Sequence, residues 1–131
     1  MIKRKHKFNN KGFDNIFGHW DSKHEYMVFC KLLDKEKNGK ISELKRQVPF
    51  ELIPAQYHEY DEKIQLKTKT KIVHRKKLLE RATSYVADFT FYENGKFCVV
   101  DAKSEITRKQ PEYIIKRKLM LFLNKIRIIE M

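Results

Sequence analysis

"YVADFTFYENGKFCVVDAK", residues 85–103, decides the fold. Two β-rich runs flank Asn94-Gly95, the dipeptide preferred where both central residues of a type I′ turn need positive φ. With those residues at the turn, Glu93 faces Lys96, Phe91 faces Cys98, Phe89 faces Val100, and Asp88 faces Asp101. Side chains alternate along a strand, so Lys103 projects from the same face as Asp101. The other face carries Ala87, Phe89, Phe91, Cys98, Val100 and Ala102, a continuous apolar surface for packing a helix. The polar face poses a problem, because like charges directly opposed across a ladder are destabilising. A hard cation taking one oxygen from each aspartate turns that repulsion into a site. Mg²⁺ suits it, since it uses few protein carboxylates and keeps several waters. Lys103 beside it could orient or deprotonate an attacking water. The plain alternative is a solvated Asp88 and a surface Asp101–Lys103 pair, since D-x-K tripeptides are common.

Working outward, "DSKHEYMVFCKLLDKEKNGK" (21–40) reads as a helix. Ser22 and Glu25 have the spacing of a capping box. Tyr26, Phe29, Cys30 and Leu33 fall on one face, and Asn38-Gly39 is a stop signal. The second half of "ISELKRQVPFELI" (41–53) reads as a strand closed by Pro54. Residues 55–82 carry the weakest signal; "KIQLKTKTKIVHRKK" suggests a basic strand or hairpin arm, its lysines either a solvated face or a groove lining. After the central hairpin, Pro111 suits the first turn of a helix. That helix is expected to bury Ile115, Leu119 and Phe122 and to carry the basic run Lys116, Arg117 and Lys118. "KIRIIEM" (125–131) closes as a short strand. The order is helix, three strands, helix, strand.

The chain has 131 residues, with 41% apolar, 35% charged and a formal charge of +12. This predicts a basic arm over residues 1–12 and one domain over 13–131. So large a positive charge concerns partners rather than fold, and nucleic acid is the commonest acidic partner of a small basic domain. Cys30 and Cys98 form no CxxC pair, and the five histidines show no zinc spacing. No apolar run is long enough to span a membrane, and no signal peptide is evident, so the expected setting is a reducing cytoplasm.

The arrangement resembles the PD-(D/E)xK, or restriction-endonuclease-like, nuclease superfamily. Asp88 stands for its first acidic residue, with Ala87 in the usual proline position, and Asp101-Ala102-Lys103 stands for its (D/E)-x-K. "WDSKHEYMVFCKLL", "ISELKRQVPFEL", the central hairpin and the basic last helix are similar to a family of small phage-encoded proteins grouped with Holliday-junction-resolvase-like nucleases. The resemblance implies an α/β fold with an αβββαβ core, a mixed central sheet and flanking helices. It implies a Mg²⁺-dependent DNA endonuclease, with Mn²⁺ able to substitute, acting on branched DNA as a homodimer. Asp88, Asp101 and Glu25 would bind metal, Lys103 would activate water or steady phosphate, and Gln47 would assist. Lys116, Arg117, Lys118 and the arm would contact the DNA backbone. By residue chemistry alone Glu25 is equally well a helix cap. Two other readings stay open: a nuclease of this fold with a different DNA substrate, and a basic nucleic-acid-binding protein with an inert acidic cluster.

Overall fold

The computed structural model describes residues 11–131; the expected basic arm lies outside them as far as residue 10. The protein is mixed α/β, and within 13–131, expected as one domain, the chain forms two compact units. The first comprises the chain up to Phe50 together with Tyr85–Met131, and the second is Glu51–Ser84.

The first unit opens with a small hairpin, β1 (Phe13–Asn15) and β2 (Gly18–Trp20), followed by α1 (Lys23–Lys37). Ser22 caps α1, its Oγ accepting the Glu25 N–H at 3.1 Å. The helix buries Glu25, Val28, Phe29 and Leu32, spaced i, i+3, i+4, i+7, so the face is shifted from the expected one. Tyr26 and Leu33 are only partly buried at its border. The shift puts a carboxylate on the core-facing stripe, at the helix end nearest the sheet's acidic residues.

Next come β3 (Ser42–Ile53), β6 (Thr83–Glu93), β7 (Lys96–Asp101), the short α2 (Glu105–Arg108), α3 (Pro111–Asn124) and β8 (Ile129–Glu130). Between β3 and β6 run β4 (Gln56–Gln65) and β5 (Thr70–Glu80) of the second unit. The sheet order is β3-β6-β7-β8, with β6 and β7 antiparallel and β7 and β8 parallel. The β6–β7 register is the expected one, from Phe89–Val100 to Glu93–Lys96. Asn94 and Gly95 have φ of 52° and 76°, as a type I′ turn requires.

The apolar face of this hairpin meets α1. Phe89, Phe91 and Val100 form one core with Trp20, Val28, Phe29, Leu32 and Ile41, and Cys98 and Ala102 pack at its edge. Burying a large apolar side chain fully is worth about 1.5–3 kcal/mol, so this cluster dominates the unit's stability. The expected face of α3 is corrected. Ile115 and Phe122 are 57% and 69% exposed, and the helix buries Tyr113 and Met120 instead. Polar contacts flank the buried Tyr113. The Lys103 ammonium lies 5.3 Å from the centre of the Tyr113 ring, and Arg117 pairs with Glu130 of β8 at 3.6 Å.

The second unit is a long antiparallel hairpin of β4 and β5, with register running from Tyr57–Leu78 to Gln65–Thr70. Nearly all its side chains are exposed.

Candidate active site

Asp88 and Asp101 lie just past the last β6–β7 ladder pair. There the two strands are tied by a side chain: the Ala102 N–H donates to Asp88 Oδ2 at 2.9 Å. Asp101 is 1% exposed. Its Oδ2 accepts the Tyr85 hydroxyl at 2.8 Å, while its buried Oδ1 accepts no hydrogen bond. The Lys103 ammonium stands 3.6 Å from that Oδ1, an ion pair too long for a hydrogen bond.

Glu25 reaches the same place from α1 and is also buried. Its Oε2 accepts the Asp21 N–H at 3.3 Å, so the side chain does secure the helix entry. Its Oε1 faces the sheet and accepts from Gln47 Nε2 at 3.0 Å. The same Gln47 nitrogen donates to Asp88 Oδ1 at 3.4 Å, so one amide bridges two carboxylates. Gln47 has φ of 51°, left-handed in mid-strand, a conformation associated with bulges that re-aim side chains beside active sites. Arg46 stacks over Trp20, 3.4 Å from the ring centre, and lies 3.9 Å from Glu25 Oε1.

A cavity of about 130 Å³ opens here, lined by Glu25, Asp88, Lys103, His24, Ser104 and Thr107 among others. Burial, then hydrogen bonding to and repulsion from Asp101, pushes the Asp88 carboxyl up to about 8. Burial raises the Glu25 carboxyl as well. Burial and the Asp101 charge together raise the Tyr85 hydroxyl, which therefore stays a donor.

The structure thus gathers Glu25, Gln47, Asp88, Asp101 and Lys103. It does not gather the basic run of α3 with them: Lys116 pairs with Glu112 at 3.1 Å, Arg117 pairs with Glu130, and Lys118 is exposed. Tyr85 and Arg46 were missed by sequence reasoning. Strict alternation assigns Tyr85 to the face of Phe89, yet its hydroxyl meets Asp101 and its ring lies beside Phe50, which also neighbours Phe97 of the other face. Among the described residues no three histidine, cysteine, aspartate or glutamate side chains form a set that could hold a metal ion. The fit of a cation therefore rests on the Asp88–Asp101 pair. Asp101 Oδ1 is a buried anionic oxygen lacking a hydrogen-bond donor, and Asp88 stays ionised beside it only against burial and repulsion. Two carboxylates, one with such an orphan oxygen, match what Mg²⁺ asks of a protein.

A family model described as a protein of unknown function, DUF1064, matches residues 5–129, and the chain belongs to that family. No curated protein and no solved structure matches the chain.

Proposed function

We propose that this member of the DUF1064 family is a Mg²⁺-dependent DNA endonuclease, acting on branched DNA such as Holliday junctions. The observation that carries the reading is the paired Asp88 and Asp101 beside Lys103 and Glu25, with one aspartate oxygen buried and unsatisfied. A binding protein has no use for such a pair. The order of α1, β3, β6, β7, α3 and β8 supports it too, being that of the PD-(D/E)xK core. The formal charge of +12 suits a polyanionic substrate.

Asp88 and Asp101 would hold the cation, whose chemistry when bound is to polarise a phosphoryl oxygen and acidify bound water. In its absence a proton on Asp88 relieves the repulsion with Asp101. The Lys103 ammonium, held by Asp101, faces the cavity where it can orient the attacking water and offset charge on the phosphate. Glu25, fixed by Gln47, can accept a proton from that water as its oxygen attacks phosphorus and the phosphodiester oxygen leaves. A homodimer would let two such sites cut opposing strands.

The test is incubation with four-way junction, flap, duplex and single-stranded DNA, with Mg²⁺, Mn²⁺ or EDTA. Divalent-dependent cutting of junctions is expected. Binding without cutting under every condition would give the protein to the class of inert binders.

A further inference from the structure

The β4–β5 hairpin has no hydrophobic core to explain its length. Each strand runs ten residues or more, about 30 Å at the usual rise, and almost every side chain faces solvent. An isolated two-stranded hairpin is marginal in water, and this one is braced. Asp61 pairs with His74 at 2.7 Å, Glu62 pairs with Arg75, and Lys76 lies over the Tyr57 ring at 4.2 Å. At the turn, the Leu66 N–H donates to the Lys69 carbonyl at 2.9 Å, and Thr70 Oγ1 donates to Gln65 Oε1 at 3.1 Å.

Those contacts divide the hairpin by charge. The hairpin's acidic side chains, Glu59, Asp61, Glu62 and Glu80, all lie on the base side of Lys63, and Asp61 and Glu62 are matched by basic partners. From Lys63 to Lys71 there is no acidic residue and there are four exposed lysines: Lys63, Lys67, Lys69 and Lys71. Their placement is two-sided. Lys63 is paired with Ile72 on one face, and Lys71 with Ile64 on the other, while Lys67 and Lys69 ride the turn.

We propose that the distal end of this hairpin, from Lys63 to Lys71, is a β-ribbon that enters the major groove of duplex DNA and contacts the phosphates of both groove walls. The partner rests on the nucleic-acid reading above; the geometry rests on the hairpin alone. Two strands spaced about 4.8 Å fit a groove about 12 Å wide, and cations on both faces meet phosphates on both walls. Lysines on one face only would suit a flat anionic surface instead. Single strands are disfavoured, because this end has no aromatic side chain on which bases could stack. Duplex RNA is disfavoured, because its major groove is deep and narrow.

The experiment is fluorescence anisotropy in EDTA across a salt series, with a labelled DNA duplex, one of its strands, and an RNA duplex of the same sequence. The proteins are the parent and two quadruple variants, in which Lys63, Lys67, Lys69 and Lys71 are all replaced by Gln or all by Arg. The Gln variant is expected to bind the DNA duplex at least about tenfold more weakly near 0.1 M salt, with a salt slope smaller by about 3. The Arg variant is expected to bind like the parent, which excludes misfolding as the cause. Equal affinity of parent and Gln variant overturns the proposal, as does a parent that binds RNA duplex or single strand as tightly as DNA duplex. A parent that binds but never cuts sinks the nuclease reading and leaves the ribbon standing.

Discussion

The Gln47 side-chain amide holds Glu25 Oε1 at 3.0 Å while the Gln47 backbone sits at φ 51°. A non-glycine residue is strained in that region, so the contact is kept against a local cost.

That cost yields an inverted substitution order. Gln47→Ala and Gln47→Gly both lose the amide bridge, but only glycine is at ease with positive φ. Thermal unfolding is expected to rank glycine above alanine by about 1 kcal/mol, the reverse of the usual order in a strand. Alanine ranking above glycine would mean that the strain is absent.

Stability is expected to fall with rising pH in metal-free buffer. The Asp88 carboxyl ionises near its ordinary 3.8 when unfolded but is held up to about 8 when folded. Between those values the folded state binds the extra proton, so its advantage is full at low pH and is lost as pH climbs towards about 8. Glu25, also raised, adds in the same direction. Melting curves from pH 5 to pH 9 in EDTA test this, read as the difference between parent and Asp88→Asn. A difference that stays constant with pH would refute the proton on Asp88. Mg²⁺ is expected to restore stability most at the alkaline end, where it competes with no proton.

Asp101→Asn keeps the shape of the side chain and removes the charge a cation needs. The Tyr85 hydroxyl can still donate to its carbonyl oxygen, and where Asp88 is ionised the repulsion with it is relieved. The metal-free fold is expected to be as stable as the parent or more so, whereas stabilisation by Mg²⁺ and DNA cutting are lost and DNA binding persists. Junction cleavage at the parental rate would remove Asp101 from the chemistry.

Tyr85→Phe preserves the ring, whose centre lies 6.4 Å from that of Phe50, and deletes the donor to Asp101 Oδ2. Leaving a buried carboxylate oxygen unpaired costs about 1–3 kcal/mol, and a melting temperature in EDTA reads it. Mg²⁺ is expected to recover part of the loss, because it neutralises the same carboxylate. No change on substitution would show that water reaches Asp101.

Legibility in the sequence followed the range of the forces. Asn94-Gly95 fixed the register of the central hairpin through local backbone preference, and with it the meeting of Asp88, Asp101 and Lys103. Ser22 likewise fixed the start of α1. Where a distant contact decides, the pattern misled. Period alone favoured Ile115, Leu119 and Phe122, but α3 buries Tyr113 and Met120, the former beneath the Lys103 ammonium. The three-residue strands β1 and β2 are too short to leave a period, and the β4–β5 hairpin, with no buried face, leaves hardly any. Tyr85 was invisible for a different reason: it lies beyond the paired ladder, where alternation from the turn no longer gives its face.

The first unit closes around an insertion, so its acidic cluster is contributed from both sides of that interruption: Glu25 and Gln47 before it, Asp88 and Asp101 after it. During synthesis the early pair must leave the ribosome and wait while the whole hairpin is made. At about 5–20 residues per second that delay lasts several seconds, and the mutual repulsion of the carboxylates arises only once the chain has passed Asp101. A chain interrupted inside the hairpin would yield two pieces, each holding half of the cluster and neither able to assemble it alone.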